Sequence, residues 1–315
     1  MGPLLVYPLA LLRHQAMSDS DSSTMPLTAS GTRKQRIESL LKWPGGKRWL
    51  TAPLKVVCEA ELSETYIEPF LGGAAMFVEL QPQAALLSDI NRPLIETLRT
   101  IRDAGEMVLT AVWRLSNTHD CYARVRASNP RSPVETAARF VYLNRTCWGG
   151  VYRLNRSGQF NVPFGGSGRV ICRRKHLLEF SKLFQNAQLE CSDFESQMAR
   201  ARRGDLIYAD PPYTTLGENN GFLRYNERLF SWSDQQRLAC AARSAAKRGA
   251  FVAVSGLWHT GLFALYRGWW ICRVSRSVCV SRRVESRRRV SEAIFFSRRP
   301  KQLPEKFSEI AKIGI

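Results

Sequence analysis

The sequence predicts an α/β fold: an open sheet flanked by helices, with an inserted lobe that combines helices and a β-hairpin. Three short apolar runs, each ending at an acidic residue, indicate strands at 66–68, 84–88 and 206–209. Helical patterns between 94 and 142 interrupt the strand series, and β-prone runs with glycine turns follow at 148–164. Ligands bind at the carboxyl ends of strands in open α/β sheets, so we expect the functional residues at that edge.

The chain divides into five predicted parts. Residues 1–35 are predicted to be a disordered extension or an over-long start, because 18–32 is rich in Ser and Thr and both Met17 and Met25 could initiate the chain. The opening residues are apolar but lack a basic region and contain prolines, which argues against a signal peptide. The remaining parts are a sheet domain in two pieces at 36–93 and 181–299, the inserted lobe at 94–180 and a loosely held tail at 300–315.

Two glycine-containing loops precede the lobe. Residues 42–47, KWPGGK, lead into a predicted helix at 48–58 whose N-terminus suits a carboxylate or phosphate; the alternative is a tight turn with a surface lysine. The strand at 66–68 runs into a glycine-rich turn of the nucleotide-cofactor type, although the GxGxxG spacing is missing. Asp89 follows Gly72 at slightly under the roughly 20 residues at which an acid reaches ribose hydroxyls, and its alternative role is a helix cap.

The inserted lobe is predicted from helical patterns at 94–104, 106–116 and 133–142, followed by a hairpin at 148–164. Its turns contain Gly149-Gly150 and Ser157-Gly158, and β-prone runs flank the second turn. Basic residues interleaved with aromatic ones predict a nucleic-acid face, and the alternative is a solvated, charged hairpin. The basic residues are Arg145, Arg153, Arg156, Arg169, Arg173, Arg174 and Lys175.

The stretch 204–213, GDLIYADPPY, carries the most specific chemistry. Its apolar strand ends at Asp210, and Pro211 and Pro212 stop the ladder because they donate no backbone hydrogen bond. Asp210 and the Pro211 carbonyl could each accept a hydrogen bond from an exocyclic amino group, while Tyr213 stacks on the ring that bears it. The alternative is a strand followed by a proline-rich turn with a solvated aspartate.

The remaining segments complete the predicted sheet. A mobile loop at 216–231 is expected to close over substrate, and a helix follows that Ser233 caps and Gly249 ends. Further strands are predicted at 251–254, 270–274 and 293–296. Residues 282–289 hold five arginines against one acid, and we expect them to grip phosphates in preference to forming a disordered loop.

The composition favours a polyanionic partner. The 315 residues carry a formal net charge of +19, which favours nucleic acid over an anionic membrane surface, since no long basic amphipathic helix is visible. No apolar run reaches the length of a membrane span. The eight cysteines form no CxxC pair and the four histidines are scattered, so we expect reduced thiols and no metal. We expect a monomer in the cytoplasm, associated with the nucleoid or, if a phage encodes it, within the host.

Four sequence blocks in a fixed order give a family resemblance. KWPGGK, EPFLGGAA, SDIN and DPPY, together with the segment 142–165, resemble the Dam-type DNA adenine-N6 methyltransferases over roughly residues 36–297. The resemblance implies a Rossmann-like methyltransferase sheet, a target-recognition lobe, S-adenosylmethionine as cofactor, double-stranded DNA as partner and a GATC-like site. Gly149 in place of a common asparagine, the short turn GGSG at 165–168, and Ser255-Gly256 in place of Ser-Asn depart from the family pattern.

The same resemblance implies the site residues. The catalytic positions are Asp210, Pro211, Pro212 and Tyr213. The cofactor-contacting positions are Trp43, Lys47, Glu68, Phe70, Gly72, Asp89 and Asp210. The DNA-contacting positions are Lys42 and Arg153 as guanine readers, Trp148 as an aromatic wedge, Val151 and Pro163 as thymine-methyl contacts, and Asn155.

Two other hypotheses remain open at this point. Cytosine-N4 or RNA-adenine methylation would use similar chemistry, although the family resemblance associates DPPY with adenine and SPPY with cytosine. A non-catalytic DNA-binding protein could keep the same scaffold. The presence of Lys47, Asp210 and Tyr213 together argues against the loss of catalytic residues that this hypothesis requires.

Overall fold

The structure is a computed structural model that describes residues 37–43, 45–155, 157–166, 171–213, 230–277, 289–307 and 309–314. The predicted extension at 1–35, most of the loop at 216–231 and the arginines at 282–288 lie outside the described residues, as do Arg156 and Arg169. Within the described ranges, no helix is long and apolar enough to cross a membrane. Over the same ranges, no group of three or more His, Cys, Asp or Glu side chains could hold a metal ion.

A mixed sheet of eight strands organises the described residues, in the order β3-β2-β1-β4-β5-β7-β6-β8. The strands are β1 (Tyr66–Glu68), β2 (Ala85–Asp89), β3 (Ala187–Cys191), β4 (Leu206–Ala209), β5 (Phe251–Leu257), β6 (Trp270–Ser277), β7 (Arg289–Phe296) and β8 (Ile310–Lys312). The first five strands in this order run parallel to one another, and β7, β6 and β8 add an antiparallel edge next to β5. The predicted α/β class is confirmed, and the mostly parallel sheet is consistent with a Rossmann-like methyltransferase fold.

Nine α-helices are described: α1 (Arg48–Glu61), α2 (Ala75–Leu80), α3 (Arg92–Trp113), α4 (His119–Ala127), α5 (Pro133–Thr146), α6 (Arg174–Leu183), α7 (Phe194–Ala199), α8 (Trp232–Lys247) and α9 (Thr260–Leu265). The two helices predicted at 94–104 and 106–116 correspond to the two parts of α3, which non-helical backbone at Ala104 separates (φ −140°, ψ 40°). Gly105 follows the break, and a Cβ there would lie 3.1 Å from Ser181 Oγ on α6. The missing side chain therefore lets α6 approach α3 closely.

The sheet is covered on both faces. Tyr66, Leu206 and Phe251 pack in a core with α1, α2, α3, α5 and α6. Their strand neighbours Ile67, Ile207 and Val252 pack in a second core with α7, α8 and α9. Successive strand residues point to opposite faces, so a strand covered on both faces is apolar throughout, as Leu206–Ala209 is.

Two predicted details of the C-terminal half differ from the structure. The helix α8 is capped by Ser231 and not by Ser233, because the Ser231 hydroxyl accepts the Asp234 N–H and the Asp234 carboxylate accepts the Ser231 N–H. The tail at 300–315 is more firmly held than expected. Its Phe307 is fully buried, and β8 pairs antiparallel with β6.

The segment predicted as a hairpin packs on a small separate core that contains Tyr122, Tyr142 and Phe160. It is joined by two isolated bridges, Cys147↔Phe164 and Leu154↔Phe160, and its described residues form no regular strand pair. The chain reverses there as predicted, and the Asn155 N–H donates to the Gln159 carbonyl at 2.8 Å and the Asn161 N–H to the Arg153 carbonyl at 3.2 Å, so the predicted hairpin is present as a short antiparallel pairing. The boundaries of the inserted lobe at 94–180, and the role of this lobe in target recognition, stay predictions.

Candidate active site

Three carboxylates lie at the carboxyl ends of adjacent parallel strands. Strand β1 ends at Glu68, β2 ends at Asp89, and Asp210 directly follows β4. Strand β1 pairs with β2 on one side and with β4 on the other. The strand order reverses between β1 and β4, and in open α/β sheets this switch point is where ligands bind. The topology thus brings together acids that are far apart in sequence.

A buried lysine joins the start of α1 to this edge. Lys47 precedes Arg48, the first residue of α1, and its side chain is only 5% exposed. Its Nζ donates to Asp210 Oδ1 and lies 4.4 Å from the centroid of the Tyr213 ring. The KWPGGK loop and the DPPY turn, separated by about half the chain, therefore meet at one ion pair. The alternative of a surface lysine is excluded by this burial.

A fourth acid, Glu292, completes the site, and no sequence motif points to it. Glu292 lies on β7 with its side chain buried, accepts the Tyr213 hydroxyl at 2.9 Å and has Oε2 3.9 Å from Lys47 Nζ. Burial, followed by the negative charges of Asp210 and Glu292, raises the pKa of Tyr213 well above its usual value. Tyr213 is therefore a neutral phenol that donates to Glu292. An acid directly before the apolar run 293–296 is the available signal, but such a residue usually faces solvent.

The glycine-rich loop after β1 is fixed by Asp89 and Trp43. The Gly72 N–H donates to Asp89 Oδ2 at 2.9 Å, and the Asn91 N–H donates to Asp89 Oδ1 at 2.9 Å. Gly72 has φ of +49°, and a Cβ there would lie 2.7 Å from Trp43 Cδ1. Asn91, and not Asp89, accepts the Leu94 N–H that caps α3. Asp89 therefore holds the loop, and burial raises its pKa.

Glu68 and Phe70 both directly precede the glycine-rich loop in sequence. Glu68 is buried and accepts the Tyr66 hydroxyl at 2.9 Å. Burial, opposed by that hydrogen bond and assisted by the charge of Asp210, raises the pKa of Glu68 to about 8. Its carboxyl group is thus largely protonated at neutral pH. The Phe70 ring stacks on Phe194 at a centroid distance of 5.4 Å.

The two prolines end β4 as predicted. The strand stops at Ala209, and Pro211 is buried while Pro212 is half-buried. All the predicted catalytic and cofactor-contacting residues therefore lie on the loops and strand ends along this edge of the sheet. Their contacts with cofactor and base stay predictions.

The predicted DNA-contacting residues, except Lys42, lie on the segment 147–166. Trp148 is 67% exposed, which leaves its ring accessible to a partner. Arg153 is also exposed, and its Nε donates to Asn161 Oδ1 at 2.9 Å. Asn155 Oδ1 accepts the N–H groups of Ser157 and Gln159, so this side chain closes the turn.

The other three predicted DNA-contacting residues have packing or main-chain contacts within the protein. Val151 is half-buried and packs against the small core, and the Pro163 carbonyl accepts the Trp148 N–H at 2.9 Å. Lys42 lies next to this segment although it precedes it by about a hundred residues, because its main chain pairs with the side chain of Asn144. The structure thus brings Lys42 to the other DNA candidates, and a role in DNA contact stays a prediction for all six.

Comparisons with known proteins show the family to which the chain belongs. The family model of D12 class N6 adenine-specific DNA methyltransferases matches residues 43–269. The chain belongs to this family. The match includes Lys47, the glycine loop, Asp89 and the DPPY turn, and it ends before Glu292. The resemblance to adenine-N6 methyltransferases is confirmed at the level of the family.

Curated relatives include proteins with two kinds of name. A type II methyltransferase of Lactococcus lactis subsp. cremoris is 32% identical, over 83% of this chain and 95% of that protein. A type II methyltransferase of Methanocaldococcus jannaschii is 32% identical, over 76% and 91%. A DNA adenine methylase of Vibrio cholerae serotype O1 is 31% identical, over 83% and 96%. Among solved structures, a precorrin 8w decarboxylase aligns with a TM-score of 0.33 and 9% identity, over 82% of this chain and 92% of that chain, which is too weak to bear on function.

Proposed function

We propose that this D12 methyltransferase transfers a methyl group from S-adenosylmethionine to the N6 amino group of an adenine in double-stranded DNA. The observation that carries the proposal is the position of Asp210 at the switch point of the sheet, ion-paired with Lys47 and followed by Pro211, Pro212 and Tyr213. A polar acceptor at this edge, beside a proline turn and an aromatic ring, suits an amino-bearing base.

The residues at the edge fit the proposed cofactor. The absence of a side chain at Gly72 lets the Trp43 ring pack directly against the glycine loop, which brings these two predicted cofactor contacts together. The carboxylates of Asp89 and Asp210 suit a cofactor that carries a cationic sulfonium and ribose hydroxyls. Trp43, Lys47, Glu68, Phe70, Gly72, Asp89 and Asp210 would hold S-adenosylmethionine, which when bound supplies an activated methyl group.

The chemical problem is the adenine nitrogen, whose lone pair is delocalised into the ring. Asp210 and the Pro211 carbonyl accept the two amino protons as hydrogen bonds, which localises the lone pair and favours the tetrahedral transition state. Pro212 stiffens the turn that holds both acceptors. Tyr213, fixed by Glu292, stacks on the base, which leaves the duplex to reach it.

The proposed target is GATC or a related site. Lys42 and Arg153 read guanines, Val151 and Pro163 contact a thymine methyl group, Trp148 acts as a wedge, and Asn155 supports the turn that presents them. Relatives named as type II methyltransferases as well as DNA adenine methylases support a site-specific enzyme and leave the exact sequence open. The net charge of +19 supports a DNA partner.

The proposal is tested by methyl transfer from labelled S-adenosylmethionine to methyl-free plasmid DNA, with RNA of similar length as a second substrate. We expect label in the plasmid, and protection of GATC sites from a nuclease that methylation blocks. Label without GATC protection would move the target to another sequence. No label in either nucleic acid would leave a DNA-binding protein without this activity, and label in RNA alone would assign an RNA substrate.

A further inference from the structure

The segment 39–43, which we call the strap, lies between the glycine loop and the predicted DNA segment. On the first side, the Ser39 hydroxyl bonds with the Gly73 carbonyl oxygen, and a Cβ on Gly73 would lie 3.0 Å from Trp43 Cβ. Leu40 and Leu41 are fully buried in the main core. The strap therefore cannot shift without moving the loop that is predicted to hold the cofactor.

The second side of the strap is held by one buried amide. Asn144, near the end of α5, accepts the Lys42 N–H through Oδ1 at 2.8 Å and donates Nδ2 to the Lys42 carbonyl at 2.8 Å. These two hydrogen bonds resemble those that a hydrogen-bonded pair of residues exchanges between antiparallel β-strands. They fix the position of the Lys42 main chain relative to α5. The same Nδ2 also donates to the Gly150 carbonyl at 3.3 Å. A single side chain thus joins the strap to the turn that carries Trp148.

Close packing reinforces this junction. Gly150 has φ of +67°, and a Cβ there would lie 2.5 Å from Lys42 Cβ, so only glycine allows the turn to touch the strap. Next to Asn144, Arg145 donates Nη1 to the Leu40 carbonyl at 3.3 Å and Nε to the Ile171 carbonyl at 3.1 Å. Packed groups of this kind move together, because a dense interior does not deform locally.

We propose that Asn144 is a positioning residue that couples the cofactor loop to the DNA-contacting turn, so that occupation of either site raises affinity at the other. The inference rests on the proposed function, because it takes the two ligands from there. Lys47, four residues after the strap, pairs with Asp210, so the strap lies close in sequence to the catalytic carboxylate's partner. Such coupling is reciprocal by thermodynamic necessity.

The test measures the dissociation constant of a GATC duplex with and without saturating S-adenosylhomocysteine, which has no methyl group to transfer. For the unaltered protein we expect the cofactor product to tighten DNA binding about 5-fold or more, within the usual range of coupling between sites. Asn144→Ala is expected to reduce this ratio to below about twofold while both ligands still bind. The matched control is Gln197→Ala, which removes a buried amide from α7, on the other face of the sheet, and should keep the ratio of the unaltered protein.

A measurement on the unaltered protein covers the case in which Asn144→Ala fails to fold. Addition of S-adenosylhomocysteine alone should slow hydrogen exchange at the Lys42 amide and at residues 148–151, which lie beyond the glycine loop. Slowing of hydrogen exchange that is confined to 43–47 and 66–91 would overturn the coupling. An equal ratio of DNA dissociation constants in Asn144→Ala and the unaltered protein would also overturn it. Failure to bind either ligand would overturn the proposed function itself, whereas binding of both with a ratio of one would overturn the coupling alone.

Discussion

Replacement of Asp210 by alanine should cost stability as well as activity. Lys47 is 5% exposed and would lose its hydrogen-bonded partner, which leaves a buried ammonium group with Glu292 at 3.9 Å as its remaining carboxylate. Removing one partner of a buried ion pair typically costs about 3–5 kcal/mol. Because Asp210 is 21% exposed and Glu292 remains, we expect about 2–3 kcal/mol from Asp210→Ala.

A double variant should recover part of this stability. Lys47→Met in the Asp210→Ala background removes the orphaned charge, so the double variant should be more stable than Asp210→Ala by about 1 kcal/mol or more. Both variants should lack methyl transfer. The cycle thereby separates stability from catalysis, because Lys47→Met recovers stability in the Asp210→Ala background but cannot recover methyl transfer.

The free energy of unfolding of the four proteins in this cycle is measured by urea denaturation, with the slope checked for constancy. The matched control is the exposed pair Lys55 and Glu59 on α1, whose side chains are 3.7 Å apart and for which a cycle should give at most about 0.5 kcal/mol. An Asp210→Ala variant as stable as the unaltered protein, or a coupling no larger than that of the control, would refute the buried ion pair as described.

Three further substitutions test other parts of the site. Gly72→Ala forces φ of +49° on alanine and a Cβ 2.7 Å from the Trp43 ring, so it should weaken cofactor binding, measured by calorimetry, more than Gly268→Ala, which has φ of +84° but no atom within 4 Å. Arg153→Ala should lose about 1–3 kcal/mol of discrimination at one base pair, measured with single-substitution duplexes, and an unchanged profile would remove Arg153 from readout. The Glu68 pKa of about 8 exceeds its value of 4.5 in the unfolded chain, so the folded state keeps a proton that the unfolded state loses, and stability should fall as pH rises across that window. Glu68→Gln should make that fall in melting temperature shallower, and an identical pH profile would contradict the protonated, buried carboxyl.

Much of the parallel sheet can be predicted from local sequence. Strand β4 is predicted correctly because Leu206–Ala209 is apolar and two prolines stop it. Strand β3 is not among the predicted strands although Ala187–Cys191 alternates apolar and polar residues, because the run is short and its Gln and Glu are not typical strand residues. Strand β8 is not among them either, because three residues, Ile310–Lys312, give no periodicity, and their pairing with β6 is decided by tertiary contact.

The residues of the candidate site likewise differ in whether local sequence or tertiary contact reveals them. Lys47, Asp89 and Asp210 stand in short motifs whose spacing is informative, so local sequence is enough to select them. Glu292 stands in no such motif, and its role depends on β7 lying beside β5 so that the carboxylate reaches Tyr213. Asn144 stands out only as part of a segment that resembles the family, because contact with Lys42 across 102 positions has no local signature.

The chemical identity of the methylated nucleoside tests the proposed chemistry most directly. Methyl-free duplex DNA is incubated with the protein and labelled S-adenosylmethionine, digested to nucleosides and separated by chromatography with mass detection. We predict that the label is in N6-methyl-2′-deoxyadenosine, and that Asp210→Ala, which removes the acceptor oxygens, forms none. Label in N4-methyl-2′-deoxycytidine, or undiminished N6 methylation by Asp210→Ala, would contradict the account.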